Sequence, residues 1–148
     1  MTAAMRAMFE QFGIALFVDV MKRQQNKINW PYYSMVVIDN DMKIGLAAEG
    51  IACAERTDGY AWFIQSIGEM APGRHLSTLK VIFADCFATD AMLEQIGLLS
   101  TCTLVWDVHH LLDEVWPQLF GNAHHAVKDH LSSMVYSHSA AKFDEALR

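Results

Sequence analysis

Three strand-like apolar runs crowd the first third of this chain, and their succession limits the folds open to it. They are GIALFVDVM (13–21), YYSMVVIDND (32–41) and KIGLAAEGIACA (43–54). The connections are short, and Asp39-Asn40-Asp41 supplies turn chemistry. Successive strands joined this way form an antiparallel meander. The pattern then changes to alternation. RTDGYAWFIQSIGEM places Tyr60, Phe63, Ile64 and Ile67 at helical spacing, with Thr57 or Asp58 as its cap. APGRHLS breaks that helix.

LKVIFAD (79–85) reads as a fourth strand, and ATDAMLEQIG as a short helix stopping at Gly97. CTLVW (102–106) reads as a fifth strand. VHHLLDEVWPQLF follows as a helix with Val108, Leu111, Leu112, Val115 and Leu119 inward, bent or ended near Pro117. Two further helical stretches cover roughly 123–137 and 139–147, with Ser139 as a cap for the last. An amphipathic helix at the N-terminus carries Met5, Met8, Phe9 and Phe12 on one face, with Gly13 as its stop. Three meander strands, helix, strand, helix, strand, helices: this order indicates an α/β fold with a mixed sheet and packed helices. It is the order of a ribonuclease H-like fold.

Composition fits one globular unit. The chain has 148 residues, 53% hydrophobic and 19% charged, enough for a real core. No run is long enough to span a bilayer, and Glu10 and Gln11 interrupt anything resembling a secretory leader. Cys53, Cys86 and Cys102 are odd in number and form no CxxC, which suggests buried thiols in a reducing compartment. A net charge of -6 argues against a DNA-coating module but not against an acidic, metal-dependent nuclease site.

Two acids stand at strand ends, Asp19 on the first and Asp85 on the fourth. If those strands are neighbours, the carboxylates converge and repel. A divalent cation removes the penalty; Mg²⁺ suits two carboxylates plus phosphate and water. The chemistry this points to is phosphoryl transfer. The alternative for Asp85 is a helix cap, though Asp90 is the better candidate for that role. Glu55 ends the third strand and reads equally as a surface or capping residue. Asp107 reads as an N-cap, and Asp39 and Asp41 as turn residues away from the acids. His109-His110 and His124-His125 do not make a zinc site, because adjacent histidines diverge on a helix and Cys102 adds only one further ligand. Lys22, Arg23 and Lys27 could meet phosphate beside Asp19, or form a solvated loop. Trp106, Trp116, Phe120 and Tyr136 read as core.

Several blocks together resemble the Mutator-like element (MULE) transposase family. DVMKRQQNKINWPYYSMVVIDNDMKI is similar to its opening, through Asp19, Asn26-Lys27, Trp30-Pro31 and a strand ending in Asp39-Asn40. GIACAERTDGYAWFIQSI matches through Glu55, Tyr60, Trp62 and Phe63, and VIFADCFATDAM through Asp85 as the second acid. LVWDVHHLLDEVWPQLFG resembles the segment that carries a cysteine and a histidine. There are departures. Met21 stands where a threonine is expected, and Cys102 is offset by three positions, with Val105 in the expected place.

The resemblance spans about residues 10–148. It implies a partial catalytic domain, with its core at about 10–120 and the start of a helical insertion at about 121–148. It also implies Asp19 and Asp85 as catalytic metal ligands, Mg²⁺ or Mn²⁺ as cofactor, DNA and other transposase copies as partners, and the nucleus as location. No Lys/Arg-rich nuclear signal is visible. The family's third acid, a glutamate beyond the insertion, has no match here, so the chain alone is expected to be inactive or nearly so. The alternatives are a domesticated, non-catalytic derivative acting in DNA binding or transcription, and an unrelated α/β binding module.

Overall fold

The computed structural model describes residues 1–21, 29–85, 87–107, 116–121, 128, 129, 132, 133, 136 and 142. The chain divides into two compact units, Met1–Val105 and Trp106–Arg148. The first holds nearly all the described structure. Its elements are α1 (Ala3–Phe12), β1 (Ala15–Met21), β2 (Tyr32–Ile38), β3 (Ile44–Ile51), α2 (Thr57–Met70), a short 3-10 turn (Leu76–Thr78), β4 (Val81–Ala84) and α3 (Asp90–Gln95). β5 (Thr103–Trp106) crosses into the second unit, which also carries α4 (Trp116–Phe120).

The strands form one mixed sheet in the order β3-β2-β1-β4-β5. β1 pairs antiparallel with β2, and β2 with β3, so the expected meander is present. β1 pairs parallel with β4. Alternation assigns the faces. Leu16, Val18 and Val20 of β1 and Tyr33, Met35 and Val37 of β2 are buried. They form one core with Phe9 of α1 and with Tyr60, Phe63, Ile64 and Ile67 of α2. Both helices therefore cover this face. A bulge between Met35 and Val36 sets Ala47 and Ala48 together in the core, which a strict two-residue period would not do.

The helix ends show what the local sequence can and cannot set. Thr2 caps α1 in a capping box with Met5, and Gly13 ends it by donating its N–H to Phe9 O at 2.8 Å. α3 ends as expected at Gly97, whose φ of +71° suits glycine. The starts of α2 and α3 differ from expectation. Arg56, not Thr57 or Asp58, is the N-cap of α2. The Thr57 hydroxyl instead donates to Phe87 O at 3.0 Å, a partner thirty residues away. Thr89, not Asp90, is the N-cap of α3, and Asp90 sits in the first turn, where its charge still suits the helix dipole.

Some apolar residues expected inside are not. Leu119 on α4, Trp106 and Tyr136 are 70%, 44% and 60% exposed. Helical or strand spacing marks a candidate core face, but single apolar residues at the surface are ordinary. Cys53 is exposed because it lies past the end of an edge strand. Cys102 is buried as expected, and burial pushes its thiol up to about 11, against a lowering by Lys80. Lys128, Asp129, Ser132, Ser133 and Lys142 are helical. Lys22, Arg23, Asn26, Lys27, Cys86, His109, His110, His124, His125 and Ser139 lie outside the described residues, as do Val108, Leu111, Leu112 and Val115 and the side chains of Trp116 and Phe120.

Candidate functional site

Asp19, near the C-terminal end of β1, and Asp85, just past β4, lie at one level of the sheet. β1 and β4 are hydrogen-bonded neighbours running in the same direction, with Phe17 opposite Phe83 as the last pair in register. Those two rings stack, with centroids 4.5 Å apart and planes 4° apart. Asp19 lies two residues beyond Phe17 and Asp85 two beyond Phe83. The parallel ladder thus delivers both acids to the same end of adjacent strands, which are ~4.8 Å apart. The β2–β3 turn is at the opposite end. There Asp39 Oδ1 accepts the N–H groups of Asp41 and Lys43, each at 2.9 Å, so both aspartates are turn residues as expected.

Their surroundings differ. Asp19 is exposed on the face away from α2, and its Oδ1 accepts the N–H of Val20 at 2.9 Å. Asp85 lies immediately past β4 and is only 3% exposed. Its Oδ1 accepts the N–H of Phe87 at 2.8 Å, and its carbonyl accepts the N–H of Ala88 at 3.1 Å. Asp85 therefore fixes the turn between β4 and α3, though it does not cap the helix. Each acid has one oxygen committed to backbone.

Beside Asp85 stands the hydroxyl of Tyr60, from the first turn of α2. Tyr60 is fully buried, and its ring meets Tyr33 edge to face at 5.2 Å. Tyr33 satisfies its own hydroxyl by donating to Ala54 O at 2.9 Å, and Gly59 makes room for this contact. A Cβ at Gly59 would collide with the Tyr33 hydroxyl and come within 2.8 Å of Ala54 O.

The Tyr60 hydroxyl has no such outlet. It faces the Asp85 carboxylate without closing a well-formed hydrogen bond to any described residue. Burial first, and then the Asp85 charge and its hydrogen-bonding influence, hold the phenol far above its usual range, with smaller contributions from Glu55 and Tyr33. Tyr33 is pushed up to about 12, mainly by burial, with Glu55, Asp85 and Asp58 adding to the rise and a backbone contact to Arg56 opposing it. Glu55 thus approaches the same acidic region from the loop after β3, half-buried.

A second feature was hidden in the sequence. Asp19 pairs with Ser34, and Ser34 with Glu49, so one polar row crosses three strands on an otherwise apolar face. Glu49 accepts a hydrogen bond from the Tyr32 hydroxyl. Burial and Glu49 together push the Tyr32 phenol up to about 12. Glu49 is two strands from Asp19, about 10 Å by strand spacing, too far to share one ion with it. Ser34 and Glu49 could be placed only through the register and its bulge.

Among the described residues, no group of three His, Cys, Asp or Glu side chains is arranged to hold a metal. Asp19 and Asp85 each keep one carboxylate oxygen beyond the backbone bond, the donor type that Mg²⁺ takes together with water and phosphate. The Tyr60 hydroxyl adds an unsatisfied polar group beside Asp85. No helix among the described residues is long and apolar enough to cross a membrane. In sequence comparisons, no family model matches the chain and no curated protein matches it.

Proposed function

We propose that the chain is a ribonuclease H-like core of the Mutator-like transposase kind, in which Asp19 and Asp85 hold Mg²⁺ or Mn²⁺ beside a DNA phosphate. The observation that carries this reading is the parallel β1–β4 pair with an acid at the same end of each strand. The strand order β3-β2-β1-β4-β5 supports it as well, because the meander leaves β1 central and free to take β4 as its other neighbour. The cation would polarise the phosphate and activate the attacking oxygen. Asp19, open to solvent, would accept it from the substrate side. Asp85, locked by Phe87 N–H, would present a fixed second ligand. A nuclear setting and assembly with other transposase copies belong to this reading alone.

One observation favours the non-catalytic alternative. Asp85 already has structural work in the turn to α3, and the described residues present no third acid to the pair. A DNA-binding derivative would keep Asp85 for folding and lose the need for Asp19. Nicking of transposon-end DNA separates the two. Mg²⁺-dependent cleavage that disappears in Asp19→Asn and Asp85→Asn supports catalysis. DNA binding that is indifferent to metal and to Asp19→Asn, without cleavage, supports the derivative.

A further inference from the structure

A cavity of about 370 Å³ opens beside the end of β3 and the start of α2. Trp30, Ile51, Cys53, Asp58 and Trp62 are among the residues that line it. The two indoles are 48% and 47% exposed. Leaving half of two indoles in water forgoes much of the burial that such side chains usually obtain. Apolar surface gathered around a concave site marks a place of binding.

Charge narrows the ligand. Among the described residues, the only charged side chain lining the cavity is Asp58. Its Oδ1 accepts the N–H of Gly59 at 3.0 Å, so the carboxylate is held in place at the wall. An anion would meet this carboxylate and an overall charge of -6. A neutral apolar ligand would strip water from Asp58 and return nothing. The positive end of α2 opposes a cation only weakly, and Asp58 in the first turn offsets it. Arg56, the N-cap, is exposed and is not part of the lining. A cation with an apolar surface satisfies both wall types: indole faces attract it through their quadrupoles, and the carboxylate supplies charge. A plain ammonium is strongly hydrated and costs more to bring in.

We propose that this cavity binds a quaternary ammonium group, with Trp30 and Trp62 as the aromatic walls and Asp58 as the counter-charge. The proposal is independent of the metal reading. Its test is calorimetric titration of the full chain with choline and with 3,3-dimethyl-1-butanol, which has the same shape and no charge. Choline should bind saturably, and roughly tenfold or more tighter than the alcohol. Trp30→Ala and Trp62→Ala should each abolish the difference, and Asp58→Asn should weaken choline several-fold. Both tryptophans are half-exposed, so circular dichroism should show these variants folded. Trp62→Phe should retain most of the binding and guards against a folding artefact. Equal affinity for the alcohol, tighter binding of a nucleoside than of choline, or choline binding unchanged in both alanine variants would overturn the proposal. So would the absence of saturable binding. A trimethyllysine peptide titrated in parallel separates a modified protein tail from a small metabolite as the source, and preference for either over the alcohol supports the site.

Discussion

The Tyr60 hydroxyl is buried against the Asp85 carboxylate, with Tyr60 0% and Asp85 3% exposed, and no described residue completes the phenol's hydrogen bonding. Two polar groups from α2 and the end of β4 thus lie buried together under one helix end. An orphaned buried hydroxyl costs about 1–3 kcal/mol. Removing it should therefore not destabilise the fold. Tyr60→Phe is expected to be neutral, or stabilising by up to about 1 kcal/mol, in urea unfolding. A loss above about 1 kcal/mol would mean that the hydroxyl does bond Asp85 in solution.

Asp85 has a structural role separable from its charge. Asparagine keeps an oxygen for the Phe87 N–H, and alanine does not. Asp85→Ala should cost about 1–3 kcal/mol, because a backbone donor loses its acceptor. Asp85→Asn should cost less. Paired denaturation curves measure the difference, and equal costs would show that charge, not the turn bond, is what the fold needs.

Gly59 should resist substitution. Its place over Tyr33 leaves no space for a methyl group, since both the Tyr33 hydroxyl and Ala54 O stand in the way. Gly59→Ala ordinarily improves a helix by about 1 kcal/mol. Here we expect a net loss of about 1–3 kcal/mol by thermal or chemical unfolding, as in other overpacked cores. Full stability in this variant would contradict the packing described at the start of α2.

Alkaline pH should unfold the protein through its buried phenols. Tyr33 is raised to about 12 and Tyr60 further still, from 10.0 in the unfolded chain. A raised phenol pKa means that the unfolded state releases its proton first. The stabilisation is fully present below pH 10 and is lost as pH rises from 10 through 12. Tyr60→Phe should flatten the fall of Tm between pH 10 and 12, and an unchanged slope would show that Tyr60 ionises freely.

Much of the fold was legible because it is written locally. The meander, the turn at Asp39 and Asp41, the stop at Gly97 and the end of β4 just before Asp85 all depend on near neighbours, whereas β1 runs past Asp19 to Met21. What escaped the sequence depends on distant partners. Thr57 gives its hydroxyl to Phe87 O, so it does not cap α2. Asp85 is buried because Tyr60, twenty-five positions earlier, lies beside it. The row Asp19, Ser34, Glu49 exists only in a register that includes the Ala47 bulge. Hydropathy alone could not tell that Trp30 and Trp62 would stand at a cavity and not in the core.

The central claim is that Asp19 and Asp85 share one cation, and Mn²⁺ binding measures this without requiring turnover. Electron paramagnetic resonance of Mn²⁺ titrated into the chain with duplex DNA should show one bound ion. Asp19→Asn and Asp85→Asn should each release it, while Glu49→Gln should not. The two-acid site is contradicted if Mn²⁺ remains bound in both aspartate variants, or if none binds the unaltered chain with DNA present.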